Sequence, residues 1–118
     1  MYPALMRAQK VGKKAACFDF GSAEEVYAKL DEEIAEVKAA AASGDTDAVA
    51  EELGDLLLTV TSLARKLGVK SEEALYHATN KFIDRFEKVE NAVLAEGKDM
   101  ETLSMTELDA IWDRIKHR

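Results

Sequence analysis

The chain has 118 residues, 47% of them apolar, and a formal charge of −7; that suffices for one domain with its own core, read as residues 1–118, and leaves little room for a second. The acidic balance argues against a general nucleic-acid binder, which needs a basic footprint to neutralise phosphates. No apolar run approaches the roughly 20 residues that cross a bilayer, nothing near the start resembles a signal peptide, and the single Cys17 allows neither an internal disulfide nor a thiolate zinc cluster, so a soluble chain in a reducing cytoplasm is expected.

Helix punctuation is clear and no strand-like alternation competes with it, so the expected class is all-α, a compact bundle of about five helices. Pro3 suits a first helical turn, and a helix carrying Leu5, Met6, Gln9 and Lys13 is predicted to run to about Cys17. Ser22 with Glu25 forms a capping box; Val26, Leu30, Ile34 and Val37 then recur at helical spacing, and Gly44 ends the run. Asp45 or Thr46 caps a third helix, whose apolar positions Leu53, Leu56, Leu57, Val60, Leu63, Ala64 and Leu67 continue to Gly68. That apolar arc is wider than one neighbour within a small monomer covers, which predicts a homo-oligomer, although a helix buried in the middle of its own bundle would carry the same arc. Ser71 opens a long fourth helix through Leu75, Phe82, Phe86 and Val89, stopped near Gly97. A second capping box, Ser104 with Glu107, precedes Leu108, Ile111, Trp112 and Ile115 in a short last helix.

Charge is distributed unevenly along these elements. Residues 1–14 carry Arg7, Lys10, Lys13 and Lys14 and no acid, whereas residues 24–55 hold eleven acids against only Lys29 and Lys38. A solvated face accounts for many such runs, but here the spacing is informative. Glu33 and Glu36 on the second helix are three apart, hence roughly 60° apart around the axis and about 4.5 Å along it. Glu52 and Asp55 repeat the device on the third helix. A turn at Gly44 folds the two helices antiparallel, and each pair falls on the border of its apolar stripe, so packing the stripes together can bring four carboxylates into one partly buried cluster. Like charges at these spacings cost about 0.2–0.5 kcal/mol per pair, and burial adds to that. Lys29 can bridge Glu33 at i, i+4, but no nearby basic residue serves Glu36, Glu52 and Asp55, so a divalent cation is expected. Oxygen-only donors favour magnesium or manganese over zinc, and His77 and His117, the only histidines, do not supply the Glu-x-x-His pairs of a di-iron bundle. Either acidic pair alone is explained by ordinary helix composition; both together, at matching borders, point to metal.

An acidic pocket repels a triphosphate unless metal ions bridge the two, so such a cluster recruits polyphosphates only in its metal-bound form. Lys81 and Arg85, i, i+4 neighbours on the fourth helix, suit a clamp on phosphate oxygens; local pairing with Asp84 or Glu87 is the plain alternative. Trp112 can stack on a base or anchor packing. No Gly-x-x-x-x-Gly-Lys-Ser/Thr loop is present, so a nucleotide must be held another way.

Five blocks, Met6–Ala16 (MRAQKVGKKAA), Glu32–Val37 (EEIAEV), Glu51–Leu67 (EELGDLLLTVTSLARKL), Lys81–Glu90 (KFIDRFEKVE) and Leu108–Lys116 (LDAIWDRIK), together resemble the MazG nucleotide pyrophosphohydrolases. The resemblance is to the catalytic C-terminal half of two-domain members and covers nearly the whole chain, so a stand-alone or excised unit is expected. Glu-x-x-Glu followed by Glu-x-x-Asp is shared with all-α dUTPases and phosphoribosyl-ATP pyrophosphohydrolases; the flanking blocks are what point to MazG. The resemblance implies an all-α, homodimeric or homotetrameric enzyme that cleaves nucleoside triphosphates between the α- and β-phosphates with Mg2+, or Mn2+ as a substitute. It implies Glu33, Glu36, Glu52 and Asp55 as metal ligands, Lys29, Lys81 and Arg85 on the nucleotide phosphates, and Trp112 on the base or sugar. Glu32 and Glu51 are implied to orient or deprotonate the attacking water. Phe20 stands where the family usually has Trp in Phe-Asp-Trp, and Asp84 where a basic residue is common, changes that bear on base preference and phosphate affinity. Rival readings are a narrower house-cleaning dNTPase, a phosphoribosyl-ATP pyrophosphohydrolase, and a catalytically silent helical module that binds nucleotide.

Overall fold

The computed structural model describes residues 2–116; His117 lies outside the described residues. These fold as five α-helices, with no strand among the described residues: α1 (Ala4–Lys14), α2 (Ala23–Ser43), α3 (Thr46–Lys66), α4 (Ser71–Ala95) and α5 (Met105–Lys116). Two compact units divide the chain, one ending at Ala74 and one beginning at Leu75. Among the described residues, no helix is long and apolar enough to cross a membrane.

In the first unit, α1 and α2 both pack on α3. Pro3 precedes α1 as anticipated, and Lys13 and Lys14 complement the dipole at its other end. The helix stops at Lys14, short of the expected Cys17, and Ala16–Phe18 tightens into a 3₁₀ turn. That turn leads the chain to Asp19, which is held by α3, so a long-range ion pair sets where α1 must end. Cys17 is exposed and free. Ser22 caps α2 by accepting from the Glu25 N–H at 3.3 Å, but the Glu25 carboxylate accepts from Gly21 N–H at 2.8 Å, so the box closes one residue earlier than a standard one.

Gly44 ends α2 in the left-handed region at φ +75°, where a side chain would be strained. Asp45, not Thr46, then caps α3: its carboxylate accepts from the Asp47 and Ala48 N–H groups at 3.0 and 3.2 Å. With so short a turn, α2 and α3 form an antiparallel hairpin in which Glu36 and Glu52, eight residues either side of Gly44, bring their carboxylates together. Val26 is fully buried on α2, whereas Leu53, Leu57, Leu58 and Val60 of α3 remain 42–56% exposed.

The first turn of α4 has an unusual cap. Ser71 does not serve as its own cap; the Gln9 side-chain oxygen on α1 accepts from both the Ser71 N–H (2.8 Å) and the Ser71 hydroxyl (2.7 Å). The Gln9 amide nitrogen donates in turn to the Val69 carbonyl at 2.7 Å. One amide therefore satisfies the turn into α4 from a helix more than 60 residues away.

The second unit contains the rest of α4, a 3₁₀ turn at Met100–Thr102, and α5. Val89 and Val93 are buried. Phe82 stacks on Phe86 at 6.1 Å between centroids and meets Trp112 of α5 at 5.4 Å. A fully reciprocal capping box starts α5: Glu107 N–H donates to Ser104 Oγ at 3.1 Å, and Ser104 N–H to Glu107 Oε1 at 3.3 Å.

Candidate metal centre

The α2/α3 hairpin brings carboxylate oxygens of Glu33, Glu36 and Glu52 within 4.8 Å of one another. Helical spacing aligns the first two on α2, and the short turn at Gly44 sets α3 in the register that presents Glu52 to them. Glu33 is the most enclosed, with its side chain 5% exposed and one oxygen taking Lys29 Nζ at 3.0 Å. Its other oxygen, Oε2, is enclosed without a hydrogen-bond donor, and so is Oε2 of Glu52.

Such oxygens are expensive to leave unmet, because burial removes the water that would otherwise solvate them. Only a proton or a cation can satisfy them here. The hydrogen bond with Glu36, then desolvation, then the charges of Glu36, Asp55 and Glu33 all push the Glu52 carboxyl above its ordinary value. Lys29 is held above its usual range, first by its hydrogen bond to Glu33 and then by the charges of Glu33 and Glu32, so it stays cationic beside the cluster. The donor set is oxygen only, which suits a hard divalent ion, and the orphaned oxygens fit one.

The remaining expected residues lie as follows. Asp55 stands outside the three-carboxylate group, exposed, although its charge reaches Glu52. Glu32 is exposed and pairs with Lys29 at 3.4 Å; Glu51 is exposed. Lys81, Arg85 and Trp112 belong to the second unit. There Asp84 pairs with Lys88 at 3.0 Å.

Sequence reasoning missed a second charged assembly in the first unit. Asp19 takes Arg65 Nη2 at 2.7 Å and Lys66 Nζ at 3.1 Å, with its own side chain 8% exposed. Burial by itself raises the Asp19 carboxyl, but the hydrogen bonds from Arg65 and Lys66 outweigh it and hold the group below its ordinary value. The Arg65 guanidinium reaches this position across Gly12 of α1, where a Cβ would run into Nη1. One signal was available: Asp19 is the only acid in the first 23 residues, and a lone acid amid basic residues tends to be engaged.

Residues 21–90 match the MazG nucleotide pyrophosphohydrolase domain. The chain is 38% identical over 118 residues to the nucleoside triphosphate pyrophosphohydrolase/pyrophosphatase MazG of Thermotoga maritima, an alignment that covers 98% of this chain and 45% of that protein. To a nucleoside triphosphate pyrophosphohydrolase of Escherichia coli K12 it is 42% identical over 120 residues, covering 98% of this chain and 46% of the relative. A Bacillus subtilis protein, uncharacterized protein YabN, is 32% identical over 65 residues, or 55% of this chain and 13% of that protein. The chain thus spans less than half the length of the relatives it matches end to end. With a domain match over residues 21–90 and those identities over nearly its whole length, the chain belongs to the MazG nucleotide pyrophosphohydrolase family.

Proposed function

We propose that the chain hydrolyses nucleoside triphosphates to the monophosphate and pyrophosphate, with Mg2+ as cofactor and Mn2+ as an acceptable substitute. The observation that carries this reading is the trio Glu33, Glu36 and Glu52, with two enclosed oxygens that lack any donor. The activity for which the Thermotoga and Escherichia relatives are named supports the choice of reaction.

In this reading Glu33, Glu36, Glu52 and Asp55 hold the ion. When bound, it supplies Lewis-acid polarisation of phosphoryl oxygens and makes a bound water more acidic. Lys29 pairs with Glu33 at 3.0 Å and offers its remaining donors to phosphate. Lys81 and Arg85 hold phosphate oxygens, and Trp112, already against Phe82, takes the base or sugar. Glu32 and Glu51, exposed beside the ligands, orient the attacking water and receive its proton. One water is consumed and the α–β anhydride bond is broken. We further read residues 1–118 as one catalytic domain that works as a homodimer or homotetramer, because the exposed leucines of α3 form an apolar face that association would cover. The free, exposed Cys17 suits a cytoplasmic setting.

The test is a pyrophosphate-release assay with magnesium over a panel of ribo-, deoxy- and damaged nucleotides and phosphoribosyl-ATP. Pyrophosphate is expected, and Glu36→Gln is expected to lower the rate by about a hundredfold or more, the scale of losing one electrostatic stabiliser. Orthophosphate as the product would reject the α–β assignment. Nucleotide-induced thermal stabilisation with no product at all would favour the silent binding module.

A further inference from the structure

At the C-terminal end of α3, the first unit contains an open cavity of about 490 Å³ between α1, the last turn of α3 and the start of α4. Arg65, on its wall, lies ten residues beyond Asp55, about 15 Å along the helix at 1.5 Å per residue. We propose that this cavity is a second anion site, separate from the metal cluster, for a small molecule bearing a phosphoanhydride.

Four cations line it: Lys10, Lys13, Arg65 and Lys70. Glu72 and Glu73 line it too, so cations on the wall exceed acids by two, or by one once the pairing of Arg65 with Asp19 is counted. Among the described residues, neither acid is in an ion pair with any of the lysines, and Lys10, Lys13 and Lys70 have no carboxylate partner. Lys10 instead places its ammonium over the Tyr2 ring, 4.5 Å from the centroid.

Arg65 adds a positive charge that is fixed in place. Asp19 holds its Nη2, the α1 backbone at Gly12 lies against the guanidinium, and Nη1 is enclosed with no acceptor. A guanidinium held this way keeps its charge at the cavity wall, with Nη1 closed off by α1 and Nη2 engaged by Asp19.

The size and lining match small-molecule sites, which run from about 300 to 1,000 Å³ and combine apolar walls with a few convergent polar groups. Tyr2 and Met6 supply the apolar wall. A single carboxylate would meet one or two of the cations. A phosphoanhydride carries charged oxygens on adjacent phosphorus atoms and can meet several at once. Two sources share that chemistry, inorganic pyrophosphate and a nucleotide whose base lies on Tyr2.

The experiment titrates the whole chain with sodium pyrophosphate and, separately, with ATP, in a chelator that strips divalent metal and at low ionic strength. Heat of binding and amide shifts are recorded. Saturable pyrophosphate binding is expected, weakened at least about tenfold in Lys10→Ala/Lys70→Ala, unchanged in Glu36→Gln, and reduced by salt. Pyrophosphate bound as well as ATP or better identifies phosphate recognition alone. ATP bound about tenfold more tightly, with the advantage lost in Tyr2→Ala, identifies a nucleotide site. No binding, binding that the double variant retains, or amide shifts confined to the surroundings of Glu33, Glu36 and Glu52 would overturn the proposal. Lys10 and Lys70 are exposed, and circular dichroism verifies that the variant is folded. No turnover is read, so this outcome is independent of the pyrophosphohydrolase reading.

Discussion

Replacing Asp19 with asparagine keeps the shape of the side chain and removes its charge, which isolates what that carboxylate does for the end of α3. Arg65 and Lys66 meet it at 2.7 and 3.1 Å, and their side chains are only 17% and 25% exposed. Removing one member of a buried ion pair costs about 3–5 kcal/mol, because the partner stays enclosed without its counter-charge. Lys66 can turn its ammonium to water along a flexible stem, which places the cost at the low end, about 3 kcal/mol. At about 4 °C per kcal/mol for a chain of this size, the variant should melt about 12 °C below its parent near neutral pH. The pH dependence supplies an independent check. The Asp19 carboxyl is held below its ordinary value of 3.8, chiefly by Arg65 and Lys66 acting against burial. A carboxyl depressed on folding stabilises fully above its unfolded value, and the contribution is lost as pH falls through the folded one. The gap between parent and variant should therefore stay constant from about pH 8 to pH 5 and close below about pH 4. Thermal melts followed by circular dichroism measure both features. A variant within about 2 °C of the parent at neutral pH, on the scale used above, would refute the idea that this ion pair secures α3.

Gln9→Ala removes the acceptor for the Ser71 N–H and hydroxyl, and should cost about 1–2 kcal/mol, the range for a lost helix cap. Hydrogen exchange should accelerate at Ser71 and its neighbours on α4, and unchanged protection there would contradict the assignment. Glu52 predicts a pH-dependent response to metal. Its proton, shared with Glu36 and reinforced by desolvation and the charges of Glu36, Asp55 and Glu33, raises its carboxyl on folding. That contribution is present below the unfolded value and lost as pH rises through the folded one, so Glu52's share of the metal-free chain's stability should fall as pH rises through that window. Stabilisation by added magnesium should grow over the same window, since the ion replaces the departing proton. Paired thermal shifts with and without magnesium test this, and a pH-independent increment would count against the cluster as a metal site.

What could be read from the sequence was whatever is local. Ser22, Gly44, Asp45, Ser104 and Glu107 announce helix ends because their groups satisfy backbone atoms a few residues away. The Lys29–Glu33 bridge and the meeting of Glu33, Glu36 and Glu52 follow from helical spacing plus one short turn. The contacts that escaped join residues far apart in sequence: Gln9 with Ser71, Asp19 with Arg65. Periodicity assigns α1 a face without naming what meets it, so neither partner could be deduced. The same limit applies to Leu53, Leu57 and Val60, whose spacing gives them a common side of α3 without giving that side a cover. Asp55 repeats the spacing of Glu36 and lies as far beyond Gly44 as Glu33 lies before it, yet it stands outside the trio, and residue spacing alone does not separate the two.

The domain match begins at residue 21, so α1 and the turn after it fall outside the stretch that carries the acidic trio. It would be easy to regard those first 20 residues as dispensable. They supply the acceptor that closes the first turn of α4, the counter-charge for Arg65 and Lys66, and the glycine surface on which the guanidinium rests. Proteolytic trimming ahead of Ser22 would thus unpin two later helices together, and the damage would surface some 50 residues downstream of the cut, at Arg65 and Ser71.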